Sequence, residues 1–336
     1  MMMFMLIFNM KYNWLFIFML FMSPFLVISS NSWFSIWINM ELNLMMFIVY
    51  LMLNNIYIYD LCMKYFLVNS FSSMLFIFSS NFIMLYFNNI IFLIIMNLSM
   101  MFKLGVMPFH FWFIDMMKTL NWLSCFILST WQKIIPFFIL MFIFIQNIIL
   151  FFIILSSMFS MIFSMNQIYL KKLYAYSSIN HMSWLMMSLV FSELMWLLYF
   201  FIYMMINFLM MMMLKIFNIN FMMDLYFKFN VNYLKFFFMI LMFSLGGLPP
   251  FLGFLMKWYM IYYLLFSYNF IILLILIFFS LIFLYFYLRL LYMNMFINYM
   301  NFNLMKFFVL KLNYFLLFLY LLMVIFMSIF IMSMFL

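Results

Sequence analysis

Long runs of apolar residues that almost never meet a charge constrain this chain more than any other feature. Stretches such as Phe137 to Ile145 and Ile148 to Leu155 carry no polar side chain, and elsewhere Asn and Ser, rather than Lys or Glu, interrupt the runs. Of 336 residues, 74% are hydrophobic and 6% charged, against roughly 25% charged in an ordinary soluble protein. Folded in water, such a chain would lack a polar exterior. The runs are too long and too widely spread for a signal peptide. They also lack the alternation of an outer-membrane strand, so the segments crossing a bilayer must be helices.

At 1.5 Å per residue, roughly 30 Å of hydrocarbon takes about 20 residues to cross. The sequence therefore predicts an all-α polytopic membrane protein of about eleven transmembrane helices, near 12–30, 32–53, 62–82, 88–108, 121–143, 145–165, 173–191, 194–214, 234–255, 268–290 and 308–335. On this map the N-terminus and the loops after even-numbered helices hold Lys11, Lys64, Lys118, Lys171, Lys172, Lys215, Lys228, Lys235, Arg289, Lys306 and Lys311, 11 of the 14 basic residues. The other side receives none. By the positive-inside rule the N-terminus faces the matrix, or a bacterial cytoplasm, and Leu336 the opposite compartment. This bias also accounts for the net charge of +9. The basic residues are too few and scattered for nucleic acid.

Two stretches read alike. Leu104-Gly105-Val106-Met107-Pro108-Phe109 lies at the end of the fourth predicted helix, and Leu245-Gly246-Gly247-Leu248-Pro249-Pro250-Phe251 in the ninth. Proline removes a backbone donor and glycine admits unusual dihedrals, so Gly105, Pro108, Gly246, Gly247, Pro249 and Pro250 should break their helices. The breaks stand one five-helix unit apart, and adjacent units of five helices have opposite topology. The expected organisation is a unit over 1–143, an inverted unit over 144–290, and a C-terminal loop and helix over 291–336. Paired broken helices in inverted repeats are a recurring transporter design. On the plainer reading the kinks only help helices pack. Unpaired backbone groups are costly in hydrocarbon, so the breaks should sit beside a polar or hydrated route.

Four charges fall within apolar segments: Glu41 mid-helix, Lys103 just before the first break, Lys133 in the fifth helix beside Pro136, and Lys257 just after the second break. A charge at bilayer depth costs at least about 2.5 kcal/mol, so such groups pair, are hydrated, or exchange protons. The expectation is that Glu41 interacts with Lys103 and that Lys133 links them to Lys257. Alternatively Lys103 and Lys257 snorkel from helix ends, and Pro136 ends the helix near Lys133. His110 reads as an interfacial anchor or relay group. His181, with Ser177 and Ser178, reads as relay or polar packing. Asp60, Asp115, Asp224 and Glu193 read as loop or interface charges, with an Asp115–Lys118 bridge possible. Trp14, Trp33, Trp37, Trp112, Trp122 and Trp196 fit an interfacial belt. Cys62 and Cys125 suggest neither a disulfide framework nor a metal site. No phosphate loop, cysteine cluster or haem ligation is visible, so the chain is expected to bind no cofactor and no metal.

Several segments together are specific. Asn31-Ser32-Trp33-Phe34-Ser35-Ile36-Trp37-Ile38-Asn39-Met40-Glu41, the run Lys103 to Trp112, Thr130-Trp131-Gln132-Lys133-Ile134-Ile135-Pro136, Ala175 to His181, and Leu245 to Phe254 closing with Lys257-Trp258 resemble the chain 2 family of NADH-ubiquinone oxidoreductase. That resemblance implies an antiporter-like, proton-pumping subunit in the membrane arm of respiratory complex I. It carries Glu41, Lys103, Lys133 and Lys257 as proton-translocating residues and implies no catalytic redox site in the chain. NADH, FMN, iron-sulfur clusters and ubiquinone would serve the complex through other subunits. Partners would be neighbouring membrane-arm subunits, accessory subunits and lipids of the mitochondrial inner membrane. Met256 stands where many relatives have proline, which bears on the second break. Abundant Phe and Met beside a single alanine, Ala175, and a single arginine, Arg289, resemble the coding bias of invertebrate mitochondria, insects among them. A free-standing cation/proton antiporter would use the same paired breaks, and a structural spacer would need none of the charges.

Overall fold

The computed structural model describes residues 13–54, 59–86, 90–222, 224–225, 232–265 and 270–295. The eleventh predicted helix, 308–335, lies outside them, as do Lys11, Lys228, Lys306, Lys311 and Leu336. Helices occupy the apolar runs in the order α1 (Asn13–Ile28), α2 (Trp33–Asn54), α3 (Tyr59–Tyr86), α4 (Ile90–Leu104), α5 (Phe111–Thr119), α6 (Trp122–Ser129) and α7 (Trp131–Phe142). They continue as α8 (Gln146–Ser164), α9 (Leu170–Phe191), α10 (Glu193–Ile216), α11 (Asn232–Gly246), α12 (Leu252–Leu265) and α13 (Phe270–Met295). Among the described residues there is no strand, only an isolated antiparallel bridge between Tyr169 and Phe221.

Six helical segments among the described residues are long and apolar enough to cross a membrane: Trp33–Leu53, Tyr59–Ile83, Trp122–Phe142, Gln146–Ser164, Glu193–Ile216 and Phe270–Leu291. Large apolar side chains such as Leu67, Phe278 and Ile271 stand exposed along them, as lipid-facing surfaces require. The many serines are satisfied by their own helix rather than by neighbouring ones. Ser72, Ser156, Ser160 and Ser244, for example, each donate to the carbonyl three residues earlier at 2.7–3.1 Å.

Both breaks occur, and each halts its helix by the same local chemistry. Gly105 (φ 65°) and Gly247 (φ 79°) take the left-handed conformation that a side chain resists. The Val106 N–H then reaches back to the Met101 carbonyl at 3.3 Å, and the Leu248 N–H to that of Phe243 at 3.1 Å. This is the Schellman closure, in which the chain satisfies its own terminal carbonyls. The breaks therefore depend less on surrounding water than their sequence implied. Beyond each break the chain returns to helix, as α5 and α12, where the sequence predicted loops after 108 and 255. The fifth predicted helix is also divided, at Thr130 (φ −121°, ψ −69°) and not at Pro136. Pro136 lies in the second turn of α7 and forgoes one bond to the Gln132 carbonyl.

The chain forms two compact units: residues 1–160 with 178–190, and residues 161–177 with 191–336. α9 contributes to both. In the first unit α2 packs on α1 and α3, α3 on α4 and α5, and α7 on α1, α4 and α6. In the second, α11 packs on α10, α12 and α13, and α12 also meets α10 and α13.

Candidate functional site: a charged pocket at the first helix break

Three of the four intramembrane charges belong to the first unit. Glu41 is the ninth residue of the 22-residue α2, far from either end. Its Oε1 is buried and has no hydrogen-bond partner among the described residues. Lys103 is the penultimate residue of α4, and beyond the break the chain continues into α5. Its Nζ contacts Met40 Sδ at 3.3 Å, and the Glu41 carboxylate acts on it through space without an ion pair between them. A thioether is a weak acceptor, so this contact does little to compensate a buried ammonium. Lys133, on α7, is 3% exposed. Its Nζ has no hydrogen-bond acceptor among the described residues and lies 4.5 Å from the centre of the Phe113 ring, a cation–π arrangement.

Lys103 and Lys133 line one cavity of about 30 Å³, large enough for about two water molecules. Its polar wall is made by Asn43, Tyr65, Asn69 and Gln132, and its apolar wall includes Met40, Trp112, Phe113 and Pro136. The Asn43 amide donates to Gln132 Oε1 at 2.8 Å and accepts from Gln132 Nε2 at 3.3 Å, while the Tyr65 hydroxyl donates to Gln132 Oε1 at 3.5 Å. Trp112 is no interfacial anchor. It is buried, and its indole N–H donates to the Phe102 carbonyl across the break at 3.2 Å. Trp122 and Trp196 are buried as well. His110, expected near a membrane edge, is buried in the break, its Nδ1 3.1 Å from the Pro108 carbonyl. The sequence reading missed Asn43, Tyr65 and Gln132. Asn43 and Gln132 carried a signal, a polar residue close beside Glu41 and next to Lys133, whereas Tyr65 stands beside none of the four intramembrane charges.

His181 and Ser178 are buried on the part of α9 belonging to the first unit. Ser177 belongs to the second, where its hydroxyl donates to the Tyr174 carbonyl at 2.9 Å and it hydrogen-bonds Tyr287. Lys257, 6% exposed, is also in the second unit. Its Nζ donates to the Gly246 carbonyl at 2.9 Å, tying α12 to the end of α11. Gly253 passes so close to Ser244 that a Cβ would collide with the Ser244 carbonyl. This approach fixes the second break whatever residue precedes Lys257.

Asp115 pairs with Lys64 at 3.5 Å, and Asp224 accepts from the Asn220 and Phe221 N–H groups at 3.0 and 3.1 Å. Glu193 opens α10 behind the Ser192 cap, where the helix dipole favours a carboxylate. Cys62 and Cys125 are buried and neither is in a disulfide, and the Cys125 thiol donates to the Met117 and Leu120 carbonyls at 3.5 and 3.6 Å.

Long apolar helices, two self-capped breaks and ionisable groups held beside them define a polytopic helical membrane protein of transporter-like design. Residues 30–284 match the family described as NADH:quinone oxidoreductase/Mrp antiporter, TM. The NADH-ubiquinone oxidoreductase chain 2 of Anopheles gambiae is 35% identical over 260 residues, covering 74% of this chain and 76% of its own length. Among solved structures, a chain of respiratory complex I from Thermus thermophilus superposes with TM-score 0.75 at 19% identity, over 84% of this chain and 70% of that one. A chain of the archaeal membrane-bound sulfane sulfur reductase gives 0.81 at 14% identity, over 94% and 73%. These two likenesses are of fold. The chain belongs to the NADH:quinone oxidoreductase/Mrp antiporter transmembrane family, among its NADH-ubiquinone oxidoreductase chain 2 members.

Proposed function

We propose that this chain is a proton-translocating membrane-arm subunit of NADH:ubiquinone oxidoreductase in the mitochondrial inner membrane. Electron transfer through NADH, FMN, iron-sulfur clusters and ubiquinone belongs to other subunits, and this chain contributes no redox centre. The observation that carries the reading is that Lys103 and Lys133 line one cavity at a helix break, with Glu41 on α2 acting on Lys103 on α4. Two like charges lining one cavity of low dielectric repel each other. A proton arriving at one buried lysine thus lowers the hold of the other on its own. Glu41 offsets the charge on Lys103, and Lys257 holds the corresponding place at the second break.

The finer organisation belongs to the same proposal. It comprises eleven spans in two inverted five-helix units, 1–143 and 144–290, a C-terminal segment 291–336, and an N-terminus in the matrix. Membrane-arm neighbours, accessory subunits and lipids cover the outer faces. In the intact complex, Lys103→Met, Lys133→Met and Lys257→Met should each abolish this unit's share of proton translocation while the complex still assembles. A normal proton-to-electron ratio in well-assembled variants would overturn the reading and leave a structural spacer. Translocation by the isolated chain in liposomes would favour a free-standing antiporter.

A further inference from the structure

Lys133 is not fixed by bonds of its own, since its Nζ has only the Phe113 ring beside it among the described residues. The turn that carries it also lacks a backbone bond. α7 begins immediately after the interruption at Thr130, and Pro136 withholds the bond that the Gln132 carbonyl would otherwise accept. Two side chains hold this turn laterally: Trp131, whose indole N–H donates to the Leu20 carbonyl on α1 at 3.0 Å, and Gln132, the residue just before Lys133, which alone ties it to the polar wall of the cavity. The reciprocal amide bonds of Gln132 to Asn43, 89 residues earlier on α2, measure 2.8 and 3.3 Å, and Tyr65 on α3 adds a third contact.

We propose that Asn43 and Gln132 are a positioning couple that sets where Lys133 stands in the cavity it shares with Lys103. The inference rests on the proton-translocating reading of that cavity. An amide gains or loses no proton in the working pH range, so the couple carries none itself. It acts by geometry. Two donors occupy the Gln132 carbonyl oxygen, which fixes the side chain, and a fixed Gln132 prevents the short turn from rotating. Released, the turn could swing Lys133 away from the polar wall and out of reach of water shared with Lys103. Tyr65 keeps its ring in place through edge contact with Phe47, centroids 5.2 Å apart, so its hydroxyl contact can be removed without disturbing the packing.

The test uses the intact complex, with assembly, NADH:quinone turnover and proton-to-electron ratio measured across pH. Gln132→Asn keeps the amide but is one methylene too short to reach Asn43. It should assemble and lose at least half the proton translocation that Lys133→Met loses, with a shifted pH profile. Adding Asn43→Gln moves the methylene to the other partner and should restore both ratio and profile. Tyr65→Phe should produce a smaller loss. A wild-type ratio and profile in Gln132→Asn, or a loss that Asn43→Gln does not restore, overturns the couple. Normal pumping by Lys133→Met overturns instead the function on which it rests, so the two failures are distinguishable.

Discussion

Lys64 Nζ lies 3.5 Å from an Asp115 carboxylate oxygen, joining the first turns of α3 to the far half of the broken helix. The pair fixes depth. α4 and α5 contain 15 and 9 residues, or about 22 and 13 Å of helix, and together they run from the far end of α3 back to its start. Lys103 at their junction is therefore expected well inside the bilayer. In a background where the native Cys62 and Cys125 are already buried, Asp115→Cys should react with a membrane-impermeant maleimide from one face only, the matrix face under the proposed orientation. Lys103→Cys should react from neither. Labelling of Lys103→Cys from either side would place it at an edge.

The same ion pair is weak. Its side chains are 59% and 52% exposed, and exposed pairs contribute about 0–1 kcal/mol and less in salt. Asp115→Asn should leave the thermal stability and abundance of the assembled complex nearly unchanged, and any small loss should vanish at high ionic strength. A large, salt-independent loss would show that the contact is structural in a way its exposure does not explain.

The second break makes a sharper demand. A Cβ on Gly253 would meet backbone, the Ser244 carbonyl, which cannot give way. A Cβ on Gly246 would meet the side chains of Tyr287 at 3.3 Å and Leu284 at 3.7 Å, and backbone no nearer than the Leu284 Cα at 4.0 Å. Gly253→Ala should cost about 3 kcal/mol or more and deplete assembled complex on a native gel, whereas Gly246→Ala should assemble. Equal tolerance of the two changes would mean that α12 can slide on α11.

What the sequence made legible follows from which signals survive in an apolar chain. Apolar helices could be located because charge is nearly absent. The breaks could be found because the chain has only four glycines, and Gly105, Gly246, Gly247 and Gly253 all lie in or beside the two breaks. The half-helices α5 and α12 were not legible. Hydropathy windows seek about 20 residues, and α5 and α12 have 9 and 14. The interruption at Thr130 was not legible; the sequence offered only Pro136, the louder signal, as an alternative helix end, although in an early turn proline forgoes only one bond. Trp112 was placed at the interface by residue type alone, and only the fold shows its indole bridging the break. The amide couple joins Asn43 to Gln132 across 89 residues, a separation that no local pattern records.

Lys133 and Lys257 differ in a way that stability measurements can read. Lys257 donates to the Gly246 carbonyl at 2.9 Å. Lys257→Met removes a charge-assisted bond worth about 1.5–3 kcal/mol and leaves that carbonyl without this donor. Lys133 has no acceptor among the described residues, so Lys133→Met exchanges a buried, uncompensated amine for an apolar side chain of similar length. Such exchanges are often neutral or stabilising. Both variants should lose proton translocation, but only Lys257→Met should lower the melting temperature of the purified complex, and Lys133→Met should match or exceed the wild type. A Lys133→Met complex destabilised as much as Lys257→Met would mean that Lys133 has a strong partner in the assembled enzyme, and its role would then have to be reassessed as a structural one.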